Sequence, residues 1–210
     1  ISALAGSNAS LLPALLALFV SLSLQVGVNY ANDFSDGIRG TDNDRVGPVR
    51  LTASGLATPA AVKRAAFASF LLGAIAGLAL AAMTSWWLIL VGALAILAAW
   101  GYTGGKNPYG YLGLGELFVF IFFGVIATVG TFYVQTEQIT LDAILASIPM
   151  GTFSCALLAI NNIRDRALDA PAGKRTLAVR FGDRNSRIFF ATLIATGYCA
   201  VAAMRNPWLL

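Results

Sequence analysis

Two aspartate-rich stretches stand at the ends of very apolar segments: Asn29-Tyr30-Ala31-Asn32-Asp33-Phe34-Ser35-Asp36 and Asn161-Asn162-Ile163-Arg164-Asp165-Arg166-Ala167-Leu168-Asp169. If the preceding helices continue through them, Asn29, Asn32, Asp33 and Asp36 fall at i, i+3, i+4 and i+7, on one helical face. Asn161, Asp165 and Asp169, at i, i+4 and i+8, share another. Gathering so many carboxylates without a counter-charge is strongly unfavourable, so the pattern points to a divalent cation.

A weak internal repeat extends the pattern. The first stretch is followed by Gly47-Pro48-Val49-Arg50-Leu51-Thr52, the second by Ala172-Gly173-Lys174-Arg175-Thr176. Each half thus offers a carboxylate helix end and then a glycine-basic-threonine segment, and two such halves can close over one ligand. Magnesium takes oxygen ligands, usually one or two carboxylates together with substrate phosphates. Asp33, Asp36, Asp165 and Asp169 are the candidate metal ligands, and Arg45, Arg50, Lys174 and Arg175 the candidate grips on phosphate oxygens. A diphosphate suits this set, and a diphosphate at a membrane surface implies a lipid tail such as a polyprenyl chain. Aromatic rings that could face an allylic cation are Tyr30, Phe34, Tyr102, Tyr109 and Tyr111.

Bland readings stand beside these. Acidic residues also solvate loops, basic residues also set topology, and interfacial tyrosines are common. Asp183 and Arg184, in a Gly-Asp-Arg-Asn turn, read as a helix cap. Glu116 opens an apolar segment, where either a helix N-terminal role or a substrate contact fits.

The elements that must position these residues are membrane helices. Of 210 residues, 58% are hydrophobic and only 11% charged, with a mean hydropathy of +0.74, which is outside the range of a soluble globular domain. Apolar runs predict helices at roughly 11–31, 62–83, 86–101, 115–134, 141–162 and 187–204, with a seventh beginning near 207. The expected fold class is all-α: a polytopic transmembrane helical bundle forming one membrane-embedded domain over residues 1–210. The chain starts without methionine and stops inside an apolar run, so it is expected to be a fragment.

Charge fixes the orientation. Thirteen of the fourteen basic residues lie in alternate loops, on the side that carries both aspartate motifs, and Arg205 is the exception. By the positive-inside rule that side is cytoplasmic, which places the chain in a cell membrane as a multi-pass protein. The basic residues serve topology here, and no nucleic-acid partner is expected. Cys155 and Cys199 lie in apolar segments without CxxC spacing and read as unpaired structural thiols.

These motifs resemble the UbiA-type superfamily of intramembrane prenyltransferases. The stretch Asn29-x2-Asn32-Asp33-x2-Asp36-x3-Gly40-x-Asp42, then Arg45-x-Gly47-Pro48-x-Arg50-Leu51-Thr52, is similar to the branch that prenylates 1,4-dihydroxy-2-naphthoate. So are Tyr102-Thr103-Gly104-Gly105, Pro108-Tyr109-Gly110-Tyr111-x-Gly113-Leu114-Gly115-Glu116, and the second motif through Arg180. Position 40 is glycine where the wider superfamily has aspartate, and the next acid is Asp42, a shift that the naphthoate branch resembles.

The resemblance implies nine helices around a central cavity in a complete protein, about six to seven of them here. It implies transfer of a polyprenyl group from polyprenyl diphosphate to 1,4-dihydroxy-2-naphthoate in the bilayer, with decarboxylation and with Mg2+ as cofactor. Asn32 and Asn161 would orient the aspartates or complete the metal shell, while Asn29, Tyr102 and Lys106 would meet substrate or carbocation. Hydroxybenzoate or homogentisate is the alternative acceptor. A cation-coupled transporter is the alternative from another class, disfavoured because the aspartates sit at the predicted membrane edge rather than its midplane.

Overall fold

The structure, a computed structural model, describes residues 10–41 and 47–204, and every element within them is helical. Five helices are long and apolar enough to cross a bilayer: α1 (Leu11–Arg39), α2 (Pro59–Met83), α4 (Gly115–Thr136), α5 (Leu141–Asp169) and α6 (Leu177–Ala203). Between them lie the shorter apolar helix α3 (Leu88–Gly101) and a 3-10 turn, Tyr109–Leu112. The architecture is the expected all-α polytopic bundle.

Local chemistry sets the helix ends. Thr58, Thr140 and Thr176 each cap a helix by accepting a backbone N–H, from Ala61, Ala143 and Val179 respectively. Pro59 supplies the preset φ of a first helical turn. At the other end of α1, Gly40 takes a left-handed φ of 73° and stops the helix.

The first and second aspartate motifs lie wholly inside α1 and α5, so the same-face spacing is realised along continuous helices. Three expected boundaries are corrected: α1 runs on to Arg39 rather than ending near 31, and α5 to Asp169 rather than near 162. The last long helix begins at Leu177 rather than near 187, with a kink at Gly182, whose φ of 76° and ψ of 178° are not helical. Arg166, Asp183 and Arg187 cluster beside that kink, with the Asp183 carboxylate 2.8 Å from Arg187 and 3.5 Å from Arg166. The expected helix near 207, with Arg205, lies outside the described residues, as do Asp42 and Arg45.

Small residues make the core. Ala31, Ala66 and Ala143 are fully buried, and Phe70 is the large ring among them at 3% exposure. In contrast, Leu11, Leu15, Leu18 and Leu22 line an exposed stripe of α1 suited to lipid. Without a hydrophobic drive between helices in lipid, close backbone approach supplies the cohesion. Its sharpest instance joins α4 to α5: a methyl group at Gly124 would lie 2.5 Å from the Gly151 Cα. Gly124 sits in a π-helical stretch, Phe120–Ile126, where the wider turn carries the backbone against α5.

The end of the bundle away from the aspartates closes with lighter contacts. The Ser10 backbone N–H donates to the Gln135 amide oxygen at 2.7 Å, and Trp87 Nε1 donates to the Tyr133 hydroxyl at 3.2 Å.

Gly124→Ala is predicted to destabilise the protein by about 1–3 kcal/mol through overpacking. Gly130→Ala, with nothing within 4 Å of the added methyl, should leave the melting temperature nearly unchanged. Thermal unfolding of the two variants in detergent checks the contrast.

Candidate active site

Both aspartate helices end at the same face of the bundle, and the loops that follow fold back over them. Asp33, on the first motif, is 5% exposed. Its two carboxylate oxygens accept the backbone N–H groups of Leu51 and Thr52, each at 2.8 Å. The first glycine-basic-threonine segment therefore hangs from the helix whose motif it follows. Arg50 stands partly buried beside that clasp.

Asp36 lies one turn further and is 4% exposed. The Tyr111 hydroxyl donates to its Oδ1 at 2.7 Å, and Lys174 Nζ donates to its Oδ2 at 2.8 Å. The same ammonium is 3.7 Å from Asp169 Oδ1 on the second motif and 5.1 Å from the centre of the Tyr111 ring. One cation thus stands between the acidic ends of two helices whose motifs are more than a hundred residues apart in the chain. Burial pulls the Lys174 ammonium toward the neutral form, but Asp36 by charge and hydrogen bond, with Tyr111 and Asp169, outweighs it and holds Lys174 above the ordinary lysine value. The Tyr111 hydroxyl is pushed up by burial first and then by Asp36.

The exchange between halves is reciprocal. Lys174, from the second glycine-basic-threonine segment, reaches the first motif, while Gly47, from the first segment, packs against Arg164 of the second. A methyl group at 47 would lie 3.4 Å from the Arg164 guanidinium carbon. Arg164 grips its neighbour Asp165 with two charge-assisted hydrogen bonds of 2.6 and 2.8 Å.

A third layer comes from the loop between α3 and α4. Thr103 Oγ1 donates to Asn32 Oδ1 at 2.8 Å. The Arg39 guanidinium donates to the carbonyls of Thr103 and Gly105 and lies 5.3 Å from the Tyr111 ring centre. The Arg175 backbone N–H donates to the Tyr111 carbonyl at 2.8 Å, tying this loop to the second half. Tyr102, with its ring hydroxyl, is half-buried in the same loop. Burial, then the charges of Glu116, Asp36 and Asp169, push that hydroxyl well above the ordinary tyrosine value.

The remaining expected residues are less central. Asn29 is exposed and donates to the Gln25 carbonyl of its own helix at 2.8 Å. Asn161 is partly buried on α5, while Lys106 and Arg175 are exposed at the rim. Tyr109 stacks on Phe118 at 4.0 Å and Phe34 on Trp100 at 6.3 Å, with Lys63 5.5 Å from the centre of the Phe34 ring, so two aromatic walls stand at this end of the bundle.

Sequence reasoning missed Arg39 as an organiser, although it lies at i+3 from Asp36 and i+7 from Asn32, on the motif's own face. It also missed that Asn162 Nδ2 donates to Glu116 Oε1 at 3.0 Å.

Among the described residues no three acidic side chains converge as a closed metal cage. The donor set nevertheless fits magnesium. Asp36 and Asp169 both reach the Lys174 ammonium, so the two carboxylates already share one cation, and two carboxylates completed by phosphate oxygens are the usual complement for magnesium. Chemically, the face can neutralise and hold a diphosphate between two acidic helix ends and their basic segments.

Comparison with known proteins identifies the family. The model of the UbiA prenyltransferase family matches residues 1–210. The 1,4-dihydroxy-2-naphthoate octaprenyltransferase of Mycobacterium tuberculosis is 52% identical over 197 residues, covering 93% of this chain and 68% of that protein. The protein of the same name from Escherichia coli is 40% identical over 190 residues, covering 87% of this chain and 62% of its own length. The UbiA prenyltransferase domain-containing protein 1 of Mus musculus is 34% identical over 97 residues, covering 46% of this chain and 29% of its own. The chain thus spans between 62% and 68% of the two bacterial proteins. With the family's match running the full length and both acidic helix ends meeting at one face, this chain belongs to the UbiA prenyltransferase family.

Proposed function

We propose that the complete protein transfers a polyprenyl group from its diphosphate to 1,4-dihydroxy-2-naphthoate within a cell membrane, with loss of carbon dioxide and diphosphate and with the aspartate face cytoplasmic. The observation that carries this reading is the meeting of Asp36 and Asp169 on the Lys174 ammonium. The naming of bacterial relatives at 52% and 40% identity supports the acceptor.

The chain's residues divide the work. Magnesium held by Asp36 and Asp169, with Asp33, Asp165, Asn32 and Asn161 around it, would supply charge neutralisation to the departing diphosphate. Lys174 and Arg175 approach from the second half and Arg50 from the first, so basic groups flank the leaving group from both sides. Arg45 belongs to the same proposal but lies outside the described residues. Tyr111 holds Asp36 in place, and Arg39 fastens the loop that carries Tyr111 and Tyr102. Tyr102 and the aromatic walls can face positive charge developing at the allylic carbon.

Prenyl transfer by the full-length protein in liposomes, with and without magnesium, tests the reading. A decarboxylated prenyl product that requires magnesium supports it; product from hydroxybenzoate or homogentisate in preference to the naphthoate would replace the acceptor.

Two variants sharpen the roles. Asp36→Asn or Asp165→Asn should reduce magnesium-dependent turnover by about a hundredfold or more while the protein stays folded, the scale of a lost electrostatic element. Retained turnover in both would remove the metal assignment. Lys174→Met should weaken inhibition by inorganic diphosphate about tenfold or more, the scale of a charged hydrogen bond. Unchanged inhibition would assign Lys174 to structure alone.

A further inference from the structure

Glu116 is the second residue of α4 and is 5% exposed. Its side chain is fixed from one side only. Asn162 Nδ2 donates to Oε1 at 3.0 Å, and the Cys155 thiol donates to the Glu116 carbonyl at 3.0 Å. The other carboxylate oxygen, Oε2, is enclosed and has no hydrogen-bond partner. A buried carboxylate oxygen without a donor is costly.

The position of this unpartnered oxygen gives it meaning. Asn162 adjoins Asn161 of the second aspartate motif. The Tyr102 hydroxyl feels the charges of Glu116, Asp36 and Asp169 together, and a methyl group at Gly115 would lie 3.3 Å from the Tyr102 ring and 3.7 Å from its hydroxyl. Glu116 therefore stands against Tyr102, close to the diphosphate face. A group bound there needs a donor for Oε2, which the hydroxyl of an aromatic ring supplies.

We propose that Glu116 Oε2 accepts a hydrogen bond from a ring hydroxyl of the aromatic acceptor, with Asn162 holding the carboxylate and Tyr102 lying between it and the diphosphate. This rests on the functional reading above. The hydroxyl is the one on the ring carbon next to the carboxylate-bearing carbon, and the hydrogen bond raises electron density there as the carboxylate-bearing carbon attacks the allylic carbon. A carbon–carbon bond forms, and the allylic carbon–oxygen bond breaks with its electron pair leaving on diphosphate. The carbon–carboxylate bond then returns its pair to the ring as carbon dioxide departs. No proton is gained or lost overall, and the hydrogen bond to Glu116 stabilises the positive charge that gathers on the hydroxyl.

The test compares three competing ligands on the full-length protein: 1,4-dihydroxy-2-naphthoate, 1-hydroxy-2-naphthoate and 4-hydroxy-2-naphthoate. In the wild type, the monohydroxy compound that lacks the hydroxyl facing Glu116 should bind about tenfold more weakly than the dihydroxy compound. In Glu116→Leu that gap should shrink to about twofold or less, with affinity for the polyprenyl diphosphate unchanged; Glu116→Gln, which preserves shape, should narrow it partly. A gap that survives in Glu116→Leu overturns the proposal. So does equal weakening of all three naphthoates and the diphosphate in both variants, the pattern of a structural carboxylate. Wild-type protein that binds the polyprenyl diphosphate but no naphthoate would overturn the proposed acceptor, and this inference with it.

Discussion

The ammonium of Lys174 between Asp36 and Asp169 is the contact on which the site depends. Two acidic helix ends cannot approach in a low-dielectric setting without a cation between them. Here the protein supplies one from its own second half, and it joins the two motifs. The same side chain then lies where a diphosphate would need a basic partner. Cohesion of the fold and chemistry of the site thus draw on one charge.

The remainder of the bundle serves this meeting. Lipid offers no hydrophobic drive between helices, so α1 with α2, and α5 with α4 and α6, are drawn together by small residues at close approach. The polar ends of α1 and α5 are then stitched by loops rather than by the helices themselves. Asp33 holds the 47–52 segment, Arg39 holds the 103–105 carbonyls, and Tyr111 bridges from the 3-10 turn to Asp36. Each stitch joins residues far apart in sequence, so the site forms only once the helices have packed.

That distance explains what could be read beforehand. The helical spans, the single face shared by Asn32, Asp33 and Asp36, and the doubling of the motif are local periodicities and were legible in the sequence. The start of α6 at Leu177 was not, because Gly182 interrupts the pattern with a kink that two helical pieces share. Nor could spacing say that both Asp33 oxygens close on backbone N–H groups eighteen and nineteen residues away, or that Arg164 clasps Asp165. Arg39 read as one more topology-setting charge, since its partners are carbonyls, which leave no mark in composition. Glu116 was visible as an acid at a helix start, but the amide of Asn162 that defines its open oxygen lies forty-six positions away.

The central claim is that Asp36 and Asp169 serve one cation site. The most direct measurement is Mn2+ affinity by electron paramagnetic resonance, in the presence of inorganic diphosphate, for wild-type protein, Asp36→Asn, Asp169→Asn and the double variant. A shared site predicts that each single change weakens binding strongly and that the double change adds little further, a non-additive result. Losses that multiply, or affinity unmoved by either change, would contradict it.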